Sequence, residues 1–258
     1  FYFNGAWDMS WIPWTANNIA PDIRRKRNLP GPKTGAEARE AWRREGPAAL
    51  RHVPLDTLPM LKGVTDFYFE WLDHPDDGSF WDFADIESKH DRVRVPAFNF
   101  SGWHDEGYGP IGATRNFMGM RRHGRAAAAE HQRLVIGPWT HGEPTLQSTQ
   151  IGDRDFGPSA GLDYDSLVLD WCDWHLRGID RGIAAMPPVR VFVMGANRWR
   201  EGRDWPLAGT TTRTLYLRAG GRLTSEPPAA GEPAERYTFD PHDPVEGPHY
   251  EASLGPHR

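Results

Sequence analysis

The spacing of apolar and polar positions changes character along the chain. Up to about residue 90, aromatic and charged residues are mixed and often interrupted. An Ala/Glu/Arg-rich stretch predicts a helix over 36–52, with Glu40 one turn ahead of Arg44. Gly31-Pro32 breaks the chain before this helix, and Pro54 and Pro59 punctuate the stretch after it. Residues 66–72, Asp-Phe-Tyr-Phe-Glu-Trp-Leu, predict a second helix that ends at His74-Pro75, and Asp76-Asp77-Gly78 reads as a turn.

From Val93 the pattern shortens and becomes layered. Residues 93–100 predict a strand running into Ser101-Gly102-Trp103-His104-Asp105. A helix is expected over 110–122, with Ile111, Thr114 and Met118 on one face. A second strand comes at 133–136, stopped by Gly137-Pro138. After a long loop comes a helix over 163–176, with Leu167, Trp171 and Trp174 inward and Gly178 as its stop, and then a strand over 189–194. Strand, helix, strand, helix, strand is the order of an α/β layered sheet. Beyond about residue 209, strand-like runs at 214–217 and 236–239 are separated by Gly, Pro and Ser, as at the opening of an all-β unit.

Composition narrows the class without naming a function. The 258 residues are 38% hydrophobic and 25% charged with a formal net charge of −5, which excludes a disordered chain and gives no excess of basic charge for nucleic acid. Four adjacent basic residues, Arg24 to Arg27, read as a solvated helix face. No apolar run approaches the ~18 residues of a membrane span, so no membrane partner is expected. A single cysteine excludes a disulfide framework and a multi-cysteine metal site, and favours a cytoplasmic location. Cys172 reads as a small core residue, and His242 and His249 are too far apart to argue for a metal. Twelve Trp is a large excess, and the chain begins at Phe1 and ends in turn chemistry. The expectation is a piece of a longer protein.

Reactive side chains of an open α/β sheet gather on loops beyond the carboxyl ends of the strands. Asp105 lies five residues after Phe100 and His141 five residues after Ile136. An Asp and then a His, each after a strand, is the latter part of the Ser…Asp…His order of α/β-hydrolases. By spacing alone such a pair also arises by chance among 35 acidic residues and 11 His. Gly157-Pro158-Ser159-Ala160-Gly161 matches G-x-S-x-G, but it lacks a convincing strand before it, carries Pro158 beside the Ser, and comes after the Asp and His. Ser159 is therefore read as a loop residue.

Four motifs in order resemble one family. Gly102-Trp103-His104-Asp105 resembles the G-W-Y-D signature of the CocE/NonD hydrolases, the group of cocaine-esterase-like enzymes, X-Pro dipeptidyl-peptidases, α-amino-acid ester hydrolases and glutaryl cephalosporin acylases. Residues 134–141, Leu-Val-Ile-Gly-Pro-Trp-Thr-His, are similar to its L-V-x-G-P-W-x-H signature. Trp174-His175-Leu176-Arg177-Gly178 and the stretch 191–197, with Trp199, Trp205 and Pro206, agree as well.

The resemblance implies an α/β-hydrolase body over 91–208, a helical cap over 1–90, and the start of a C-terminal jelly-roll β-domain over 209–258. It implies Asp105 and His141 as acid and base of a Ser triad whose nucleophile and oxyanion hole lie upstream of Phe1. His104 departs from the family's aromatic before the Asp, and Glu106-Gly107-Tyr108 lacks the acidic pair that binds a substrate ammonium in the α-amino-acid ester hydrolases. Tyr108, with Trp103 and Trp139, is the candidate substrate-binding wall. The expected reaction is hydrolysis of a small-molecule ester or amide, without cofactor or metal. Two alternatives stay open: an X-Pro dipeptidyl-peptidase acting on peptides, and an inert remnant or binding module. The expected partners are the missing N-terminal segment of the same protein and a second copy in a homo-oligomer.

Overall fold

A computed structural model describes residues 2–3, 6–105, 109–125, 127–142 and 146–240. They form two compact units, one running to Ala84 and the other covering Asp85–Thr238.

The first unit is helical. A helical turn at Trp11–Trp14 passes through a π-helical stretch, Thr15–Ile19, into α1 (Ala20–Arg27). Asn28 closes α1 in the left-handed conformation, as the short polar side chain of Asn permits. Arg25, Lys26 and Arg27 are exposed as expected, whereas Arg24 turns inward and donates to the Met60 carbonyl at 2.8 Å. The next helix, α2 (Gly35–Leu50), begins at Thr34, whose hydroxyl accepts the Glu37 N–H, while Glu37 in turn accepts the Lys33 N–H. Gly46 leaves room for the Trp42 indole, since a Cβ there would stand 2.6 Å from the ring. With α3 (Asp66–Asp73), these elements enclose Ile12, Trp42, Leu58, Leu61 and Tyr68.

The second unit carries a four-stranded sheet of order β1-β2-β3-β4, formed by Phe98–Gly102, Arg133–Gly137, Val189–Val193 and Arg198–Gly202. The first three strands are parallel, with Phe98 opposite Arg133 and Leu134 opposite Val189, and β4 returns antiparallel. Helix α4 (Gly109–His123) lies between β1 and β2 in sequence, and α5 (Tyr164–Arg177) between β2 and β3. Strand β2 is buried along its whole length, as an inner strand covered on both faces must be. Its alternating side chains divide between the layers: Leu134 and Ile136 pack with Phe117 of α4, and Val135 packs with Leu167 of α5. Helices packed on both faces of a mostly parallel sheet make this an α/β layered fold. A small antiparallel hairpin, β5 (Tyr216–Arg218) with β6 (Arg222–Thr224), follows the sheet in sequence.

Several expectations change. The strand expected over 93–100 is β1 at Phe98–Gly102, because Pro96 lacks an N–H and the partner strand begins only at Arg133. On α4 the buried row is Thr114, Phe117 and Met120, and Ile111 is 64% exposed. The strand expected over 214–217 starts at Tyr216. Residues 236–239 form no strand: among the described residues they pair with none, and Tyr237 is 89% exposed. Cys172 is only half-buried.

Candidate functional site

The site is built where β1 and β2 end side by side. Their ladder does not stop at the last paired residues, Gly102 and Gly137. The Trp103 N–H donates to the Gly137 carbonyl at 2.8 Å, and the His104 N–H donates to the Trp139 carbonyl at 3.0 Å. Two glycines allow this approach. A Cβ on Gly102 would stand 2.0 Å from the Trp139 oxygen, and one on Gly137 would stand 2.4 Å from the Trp139 ring. Without side chains at these positions the two loops lie backbone to backbone. The Asp105 N–H then donates back to the Gly102 carbonyl at 3.1 Å, turning the chain immediately beyond the strand.

That register brings Asp105 and His141 together across 36 residues of sequence. His141 Nδ1 lies 3.2 Å from one Asp105 carboxylate oxygen and 3.3 Å from the other. The Asp105 side chain is 13% exposed and that of His141 54%, so the carboxylate is largely enclosed while the imidazole reaches solvent. A carboxylate only accepts hydrogen bonds, so in the neutral imidazole this contact places the proton on Nδ1. That is the pairing a general base needs from its orienting acid.

The remaining candidates fall in different places. The Trp103 indole N–H donates to the Phe192 carbonyl at 2.7 Å, and its ring packs against the core on the α4 side of the sheet. Trp139 is fully buried, and its indole N–H donates to the Ala160 carbonyl at 2.9 Å. Trp139 is thus a packing residue of its loop and not an exposed substrate wall. Glu106 and Tyr108 lie outside the described residues, as do His242 and His249. The His104 ring lies 6.2 Å from that of Phe156. Ser159 occupies a single 3-10 turn, Pro158–Ala160, with no strand-to-helix elbow around it. Among the described residues no group of three or more His, Cys, Asp or Glu could hold a metal ion, and no helix is long and apolar enough to cross a membrane.

Sequence reasoning missed the edge strand β4 and the contacts of Trp199, whose indole N–H donates to the Ser159 carbonyl at 2.7 Å. A polar-charged run, Arg198-Trp199-Arg200-Glu201, carries no strand signal beyond its single aromatic.

Comparison with known proteins places these features. A family model described as X-Pro dipeptidyl-peptidase (S15 family) matches residues 5–143, and one described as X-Pro dipeptidyl-peptidase C-terminal non-catalytic domain matches residues 181–252. Cocaine esterase of Rhodococcus sp. (strain MB1 Bresler) is 32% identical over 205 residues, which is 74% of this chain and 34% of the esterase. An aminopeptidase from a marine sediment Thaumarchaeota archaeon superposes with a TM-score of 0.61 at 22% identity, over 89% of this chain and 37% of the aminopeptidase. An α-amino-acid ester hydrolase superposes with a TM-score of 0.54 at 26% identity, over 74% of this chain and 31% of that structure. The chain spans about a third of the length of the esterase it matches.

Proposed function

The chain belongs to the X-Pro dipeptidyl-peptidase (S15) family, and from that premise we propose that it supplies the acid–base half of a serine hydrolase. The observation that carries this reading is the contact of His141 Nδ1 with the Asp105 carboxylate at the ends of two adjacent parallel strands. In the proposed reaction a Ser of the parent protein, upstream of Phe1, attacks an ester or amide carbonyl. His141 Nε2 accepts the Ser proton and then delivers it to the leaving alcohol or amine. Asp105 holds the imidazole in the Nδ1–H tautomer and stabilises the imidazolium that forms. Water repeats the sequence on the acyl-enzyme, with His141 again as base, and frees the acid. Tyr108, three residues after Asp105, is the proposed acyl-pocket wall.

A fluorophosphonate probe tests the reading. The parent protein is expected to be tagged on a Ser outside these 258 residues. A His141→Ala variant should be tagged far more slowly. Absence of tagging in the parent, or tagging indifferent to His141, overturns the proposal.

The family model favours a peptide substrate as a second reading, since its description is that of an X-Pro dipeptidyl-peptidase. The relative at 32% identity is an esterase. Turnover of an Xaa-Pro-nitroanilide against a simple aryl ester by the parent protein decides between amide and ester.

A further inference from the structure

We propose that the turn Gly157 to Gly161 is a strut that positions His141, and that Trp139 and Trp199 tie it in place. The inference rests on His141 being the base. The turn has the letters of a nucleophile elbow and none of its geometry, yet two indole N–H groups converge on it. Trp139 donates to the Ala160 carbonyl at 2.9 Å, and Trp199 of β4 donates to the Ser159 carbonyl at 2.7 Å. The two indole rings lie 5.9 Å apart.

The turn, with Leu162 directly after it, reaches the chain at Trp139 before His141 and at Leu146 and Gln147 after it. At the entry, Trp139 is fixed from three directions. Its ring folds over Gly137, its N–H is bound by Ala160, and its carbonyl is bound by the His104 N–H. At the exit, the Leu162 N–H donates to the Leu146 carbonyl at 2.7 Å. Gly161 lies so close that a Cβ would stand 2.9 Å from the Gln147 oxygen. Ala160 is itself fully buried, packed with Phe156 and Phe192. His141 comes two residues after Trp139, so the placement of the indole sets where the imidazole meets Asp105. Trp139 and Trp199 are positioning residues: they act through the loop and do not touch the reacting atoms.

The test reads the imidazole directly. In this chain labelled with ¹⁵N-histidine, the ring-nitrogen NMR spectrum reports which nitrogen of neutral His141 carries the proton. The unsubstituted chain is expected to show the Nδ1–H tautomer, and Asp105→Asn to lose it. Trp139→Phe keeps an aromatic ring and removes the donor, and Trp199→Phe does the same at the sheet edge. Both are expected to shift His141 towards the Nε2–H tautomer, Trp139→Phe more strongly. If both keep the Nδ1–H tautomer while only their melting temperatures fall, the residues merely pack and the strut is overturned. Should Trp139→Phe fail to fold, Trp199→Phe decides by the same readout. An unchanged tautomer in Asp105→Asn would instead overturn the acid–base reading, and the strut with it, so the two failures are told apart.

Discussion

Gly102 and Trp139 meet backbone to backbone: a Cβ on the glycine would stand 2.0 Å from the tryptophan's carbonyl oxygen. Neither residue titrates, yet their approach carries the Asp105 turn up to the His141 loop. The opposing atom is main chain, which cannot swing aside as a flexible side chain would. Gly102→Ala is therefore expected to destabilise the second unit by about 3 kcal/mol, the upper part of the usual overpacking range. It should also separate Asp105 from His141. Urea unfolding measures the first effect and the His141 ring-nitrogen spectrum the second.

Asp105→Asn leaves the shape of the site intact, removes the charge that stabilises the imidazolium, and puts an NH2 donor in place of one of the two carboxylate oxygens that face His141 Nδ1. In the parent protein kcat is expected to fall by about 10³–10⁴-fold with little change in KM, as for an interaction that strengthens as the imidazolium forms. Steady-state kinetics on an ester or amide substrate checks this.

His90 and Gly119 make a second tight fit away from the site. His90 is nearly buried, with Nε2 3.0 Å from the Asn116 side-chain oxygen, and a Cβ on Gly119 would stand 1.9 Å from its Nδ1. Gly119→Ala should cost about 2 kcal/mol by overpacking. Because both changes act on one contact, His90→Ala/Gly119→Ala should lose less than the sum of the single variants, as a double-mutant cycle would show.

Acid should loosen the hairpin β5–β6. The Arg218 guanidinium grips Glu232 with two bonds, at 2.8 Å and 2.7 Å, and together with the Ala219 N–H lowers the Glu232 carboxyl from 4.5 to about 2. A carboxylate whose value is lower in the folded chain adds stability above its unfolded value. That contribution fades as pH falls from 4.5 towards about 2. Hydrogen exchange of the hairpin amides should rise across that window in the native chain, relative to an unstructured control. The rise should be flat in Glu232→Gln.

Helix α5 leaves apolar surface uncovered within its unit. Leu169 is 66% exposed and Leu176 81%, and their spacing of seven residues puts them on one face. Exposed apolar stripes of this kind promote association. Sedimentation velocity on this chain is expected to show self-association that Leu169→Lys/Leu176→Lys suppresses.

Where a signal is local, the sequence determined it. The stop of α5 at Gly178 is an example: only a residue tolerant of φ 70° closes that helix cheaply, and Asp163 caps its other end with a side-chain bond to the Ser166 N–H. The apolar run of β2, Leu134-Val135-Ile136, and its halt at Gly137-Pro138 are as legible, because a strand covered on both faces reads as a continuous apolar run. Motif spacing likewise marked Asp105 and His141 as candidates, since chemistry collects just beyond strand ends. Tertiary structure decided the rest. Ile111 and Thr114 are equally plausible for a buried row until the sheet takes one and leaves the other to solvent. Residues 236–239 have strand-forming side chains, but a strand exists only with a partner to bond. Trp139 has the composition of a pocket wall, and it became part of the core because the carbonyl of Ala160, 21 residues away, accepts its N–H. Such contacts depend on register between distant segments, which no short window of sequence encodes.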